Sequence, residues 1–131
     1  GSQDMEIDHI DHFVITAADV DITCEFYERV LGMTVKEFAE GRKALYFGNQ
    51  KINVHPLVGV GPSLRAELPS VGGADFCLIA KSSIEEVLDQ LRDQGVLVEV
   101  GPDKRSGAIG PITSVYFRDP DGNLVEVSNY S

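Results

Sequence analysis

Glu126 stands between Val125 and Val127 in the segment NLVEVSN, an acid in the middle of an otherwise apolar strand pattern. Side chains alternate along a strand, so Leu124, Glu126 and Ser128 share one face while both valines point to the other. That face is either open to water or lines something that wants a carboxylate. The segment HIDHFVIT places His12 on one face with Ile10 and Val14, and KINVH gives Asn53 and His55 a common parity. Asp75 sits at the start of ADFCLIA. One or two imidazoles with one or two carboxylates form an oxygen and nitrogen donor set, suited to a divalent ion such as Zn, Ni, Co, Fe or Mn.

These residues need elements to carry them. After the first strand, Asp19 is a helix cap, and Ile22, Phe26, Val30, Tyr27 and Leu31 recur at helical spacing until Gly32 stops the run. TVKEF, KALYFG and KINVH follow as short strands separated by AEGR and GNQ turns. A proline- and glycine-rich connection, 57–73, then leads into the same order again. ADFCLIA is a strand. Ser82 or Ser83 with Glu85 or Glu86 forms a capping box, and Ile84, Val87, Leu88 and Leu91 make an apolar stripe that Gly95 ends. VLVEV, PITSVYF and NLVEVSN complete the second set.

A shift of 63 residues carries His12 onto Asp75 and Gly32 onto Gly95, so the chain repeats one module. Neither copy alone is large enough to bury its helix face and its sheet. The expectation is an α+β fold: two tandem βαβββ modules, 9–56 and 74–128, forming a curved mixed sheet around a cleft, with helices outside. Together they make one domain over 9–128, preceded by a tail, 1–8, in which Gly1 and Ser2 read as a cloning remnant. By alternation His12, Asn53, His55, Asp75 and Glu126 would converge on the inner face. Glu126 is then placed to meet a histidine and a metal.

Eleven basic against twenty-one acidic residues give a net charge of −10, which repels phosphate backbones and anionic membranes, so nucleic acid and membrane partners are not expected. GSQDM has neither a basic region nor an apolar stretch, and no run is long enough to span a bilayer. Cys24 and Cys77 form no spaced framework and read as small core residues in a reducing, cytoplasmic setting.

IDHFVITAADVDITCEFYERVLGMTV at the start and YFRDPDGNLVEVSNY at the end resemble the opening and closing motifs of the vicinal oxygen chelate superfamily, which includes glyoxalase I, fosfomycin-resistance enzymes, extradiol dioxygenases and bleomycin-binding proteins. GRKALYFGNQKINVH, GADFCLI and GPDKRSGAIGPITSVYFRDPDGN between them are similar to the glyoxalase domain-containing protein 5 subgroup. The resemblance implies paired βαβββ modules and a divalent metal in the cleft. It matches His12 to the first-strand histidine ligand and Glu126 to the final-strand glutamate ligand. Where the glyoxalase pattern has a second-module histidine this chain has Asp75. Where it has a fourth-strand glutamate, this chain has Asn53 with His55 two residues on, and ligand chemistry favours His55 as the third ligand.

The resemblance implies a small molecule that chelates the ion through neighbouring oxygens, with Asp75 or Glu126 as the base of a lyase or isomerase. Asn53, and Lys104 and Arg105 in DKRSGAIGPI, a glycine-rich loop at 103–112, would contact the substrate, the loop closing as a gate. Two alternatives stand beside this: a metal-free module that sequesters an antibiotic or another small ligand, and a dioxygenase. The paired modules close a cleft within one chain or across two, and a homodimer is the expected assembly.

Overall fold

The computed structural model describes residues 4–59 and 63–131. Its first module is β1 (His12–Ala17), α1 (Val20–Leu31), β2 (Thr34–Phe38), β3 (Arg42–Phe47) and β4 (Gln50–Pro56), with one 3₁₀ turn over Ala39–Gly41. The second repeats it as β5 (Asp75–Ile79), α2 (Ile84–Asp93), β6 (Val100–Ser106), β7 (Pro111–Arg118) and β8 (Leu124–Tyr130).

Local chemistry sets the helix ends. The Asp19 carboxylate accepts the Ile22 amide at 3.1 Å to start α1, and Gly32 ends it at φ 70°, a left-handed conformation that costs glycine little. Ser83 and Glu86 form the capping box of α2, with Glu86 N to Ser83 Oγ at 3.2 Å and Ser83 N to Glu86 Oε1 at 2.9 Å. Cys24, Phe26, Tyr27 and Val30 are buried as the helical spacing requires, whereas Ile22 is exposed and Thr23 is buried beside them.

Each module forms a four-stranded mixed sheet, in the orders β1-β4-β3-β2 and β5-β8-β7-β6. The first and last strands of each module are parallel, and the remaining pairs are antiparallel hairpins. The tandem βαβββ architecture stands, with its strands hydrogen-bonded as two sheets. In both, one face is apolar and packs on a helix. Ile15, Leu45, Ile52 and Val54 of the first sheet and Val115, Phe117, Val125 and Val127 of the second belong to one buried cluster with both helices.

The modules are joined through those apolar faces. Phe13 and Phe76 meet edge to face with ring centroids 5.0 Å apart, and Phe26 of α1 lies 6.3 Å from Phe117 of β7. Buried Tyr27 donates its hydroxyl to Asp119 Oδ2 at 2.8 Å, fastening α1 to the DPDG turn that precedes β8. Asp119 also accepts the amides of Asp121 at 2.9 Å and Asn123 at 3.0 Å. The polar face of each sheet therefore lies on the far side from the shared core.

Lys104 and Arg105 sit on β6 itself, paired with Thr113 and Ile112, and only residues 107–110 make the turn. The expected gating loop is a hairpin. VLVEV supplies only the first residue of β6, which runs on to Ser106.

Candidate functional site

Register decides which side chains share a surface. In the first sheet His12 stands opposite Lys51, Val14 opposite Asn53 and Thr16 opposite His55, so all six lie on the polar face. β3 adds Ala44 opposite Asn53 and Tyr46 opposite Lys51, and β2 adds Lys36 opposite Ala44. In the second sheet Asp75, Cys77 and Ile79 pair with Leu124, Glu126 and Ser128, and β7 sets Tyr116 opposite Glu126 and Ser114 opposite Ser128. Alternation thus puts His12, Asn53 and His55 together on one face and Asp75 with Glu126 on another.

A single chain does not bring the two faces together. Among the described residues no three His, Cys, Asp or Glu side chains stand close enough to hold one metal ion. The donors are nevertheless prepared singly. His12 is half-exposed at the start of β1, and its Nδ1 lies 2.7 Å from Asp11 Oδ2. A carboxylate on one ring nitrogen leaves Nε2 as the lone-pair donor, the usual support of a histidine ligand. His55 is buried, and burial, reinforced by the Arg65 and Arg42 guanidinium groups, holds its imidazole below the ordinary value. The neutral ring is the form that binds metals, although the same two guanidinium groups oppose a divalent ion placed beside it.

On the second face the carboxylate is held by hydroxyls. Ser114 Oγ donates to Glu126 Oε2 at 2.6 Å, Ser128 Oγ reaches the same oxygen at 3.4 Å, and the two serine oxygens are 2.6 Å apart. Cys77 Sγ is 3.3 Å from Ser128 Oγ, so Cys77 lies exposed on this polar face rather than in the core, and Cys24 alone is buried. Partial desolvation of its sulfur against the sheet raises the Cys77 thiol above its ordinary value. The Arg105 Nε–H donates to the Tyr116 hydroxyl at 3.0 Å, with the guanidinium 5.4 Å from that ring's centroid. Arg105 is thereby fixed over Tyr116, whose phenol is pushed up by burial and by Glu126. Asp75 is exposed at the mouth of β5.

A cavity of about 480 Å³ opens beside His55, lined by Val14, Thr16, Arg65, Leu68 and Ser70 among others. The connection forms its other wall, tied down by Arg65 Nη1 donating to the Pro56 carbonyl at 2.7 Å.

Residues 9–127 match the family model described as Glyoxalase/Bleomycin resistance protein/Dioxygenase superfamily. The chain belongs to this superfamily. It is 47% identical over 126 residues to the glyoxalase domain-containing protein RDO1 of Mycosarcoma maydis, covering 96% of this chain and 70% of that one. It is 46% identical over 127 residues to the virulence protein STM3117 of Salmonella typhimurium, covering 96% and 87%. Among solved structures, an integron cassette protein from the mobile metagenome of V. Cholerae superposes with a TM-score of 0.93 at 52% identity, over 97% of this chain and 98% of the other. Superfamily members often use divalent metals, bind small molecules and commonly form dimers.

The sequence reading set Ser128 on the face of Glu126 without giving it a role, and missed Ser114 and Tyr116 around Glu126 and Lys36, Arg42 and Lys51 around Asn53. Their parity with Glu126 and Asn53 was the available signal, since each register partner shares a face.

Proposed function

We propose that this superfamily member is a metal-dependent lyase or isomerase of the glyoxalase type, acting on a small molecule that presents neighbouring oxygens, in a cleft completed by a second copy of the chain. His12 and His55 of one copy and Glu126 of the other supply the ligands. The resemblance to the glyoxalase domain-containing protein 5 subgroup belongs to the same reading. The observation that carries it is the match of two prepared half-sites: a carboxylate-oriented His12 on one polar face and a serine-held Glu126 on the other.

Held by His12, His55 and Glu126, a divalent ion would supply Lewis acidity toward a chelated carbonyl and so make the neighbouring carbon-bound hydrogen more acidic. The chain's own residues do the rest. Asp75, exposed at the opening of β5, is the base, with Glu126 as the alternative if it leaves the ion. Ser114 and Ser128 keep Glu126 in one rotamer. Asn53 and Arg105 contact the substrate, Arg105 held in place by Tyr116, whereas Lys104, paired with Thr113, points to the other face of β6 and is withdrawn as a substrate contact.

Elemental analysis of protein purified without chelators tests the reading. A bound divalent ion is expected in the wild type, lost in both His12→Ala and Glu126→Ala. Protein that takes up no divalent ion under any loading condition overturns it, leaving the metal-free binding module.

A further inference from the structure

The polar face of the first sheet is cationic in a chain whose acids outnumber its bases by twenty-one to eleven. The Lys36 ammonium lies 4.7 Å from the Tyr46 ring centroid. Lys51 reaches the same ring from the next strand at 5.9 Å and stands 4.7 Å from the Phe38 ring. Neither ammonium is in an ion pair among the described residues. The acid that feels Lys51, Asp11, is already engaged with His12. Two like charges gathered over one aromatic ring repel each other, and the ring faces offset only part of that.

A second observation points to the same place. The two buried side-chain atoms without a hydrogen-bond partner among the described residues, Asn53 Oδ1 and Arg42 Nε, belong to this face. Asn53 is 9% exposed and stands in the row of Ala44 and Lys36, while Arg42 follows one register step on, near enough to act on His55. An unpaired buried amide oxygen lacks a donor, and an unpaired guanidinium N–H lacks an acceptor.

We infer that Lys36, Lys51 and Arg42, with Tyr46 as floor and Asn53 as the neutral acceptor, form a subsite for an oxyanion carried by the substrate. The inference rests on the cleft being a small-molecule site and names the substrate class: an organic acid that bears a carboxylate, phosphate or phosphonate besides its neighbouring oxygens. The anion pairs with the lysines and takes the Arg42 Nε–H, and a hydroxyl or N–H of the same molecule meets Asn53 Oδ1.

Reductive ¹³C-methylation keeps the lysine charge and gives each of the five lysines an NMR signal, those of Lys36 and Lys51 displaced by their aromatic rings. Chelator-treated protein is titrated with malonate and with inorganic phosphate at constant ionic strength, with chloride as the control. The metal plays no part in this measurement, so it succeeds or fails independently of the metal analysis above. Saturable shifts at Lys36 and Lys51, but not at Lys81 and Lys104, are expected. The double variant Lys36→Gln/Lys51→Gln should bind the better anion about tenfold more weakly or worse. Preference for malonate assigns a carboxylate substrate, and preference for phosphate a phosphorylated or phosphonate one. The inference is overturned if chloride reproduces the shifts, if neither anion moves the two signals, or if the double variant binds as tightly as the wild type. It is also overturned if that variant splits the oligomer while anion binding is unchanged, because the lysines then serve the interface.

Discussion

Ser114 is fully buried, and its hydroxyl donates to Glu126 while sharing a second hydrogen bond with Ser128. Removing it leaves the carboxylate in place but free to rotate. Ser114→Ala is expected to weaken divalent-ion affinity by about 10- to 100-fold, the usual effect of losing a supporting partner, with recovery in Ser114→Thr. A chelating dye in competition reads the change. Tyr27 offers a stability test, since its hydroxyl is buried against Asp119. Tyr27→Phe takes one donor from a carboxylate that is 5% exposed and should cost roughly 1–3 kcal/mol in chemical denaturation. Alternation alone was enough to set His12, Asn53 and His55 on one face, because strand parity survives errors in strand length. The face of the serines around Glu126 was legible from parity but their role was not: a small hydroxyl on a strand looks the same whether it fills space or orients a neighbour.

At the scale of elements, both helices were legible because their ends carry chemistry. The capping box of α2 makes this testable. The Ser83 amide donates to the Glu86 carboxylate and holds it below its ordinary value of 4.5, so the folded chain binds fewer protons than the unfolded chain in that window. Its contribution is complete above pH 4.5 and is lost as the pH falls through the lowered value. Ser83→Ala should cost about 1 kcal/mol near neutrality, and Glu86→Gln, which removes the titrating carboxylate, should flatten the acid limb of the stability curve, as followed by urea titrations at several pH values. β6 was not legible. Its residues Val100–Ser106 are almost all exposed because it is an edge strand, so it carries no apolar alternation to read. The glycines after it signalled a turn, but not that the preceding charges belonged to a strand. Arg105 is consequently restrained by Tyr116, and a mobile gate is no longer the model for residues 103–106.

For the whole molecule, repetition and two-faced sheets were readable, but which faces would meet was not. Apolar surface on both modules allowed either a cleft inside one chain or a shared core with outward polar faces. The rings of Phe13, Phe76, Phe26 and Phe117 show the second. If cleft halves come from different chains, His12→Ala and Glu126→Ala proteins each lack every site, yet a refolded equimolar mixture regains about a quarter of them, because mixed dimers hold one intact pair. Ion stoichiometry of the mixture reads this directly, and no recovery would place both ligands in one protomer or remove the site. The joint between modules has a further consequence for the strap that links them. Tyr27, Phe26 and Phe117 bind the halves through contacts that lie outside that strap. A single tryptic nick after Arg65 should therefore leave two fragments that still co-elute as one folded species, separable only under denaturing conditions.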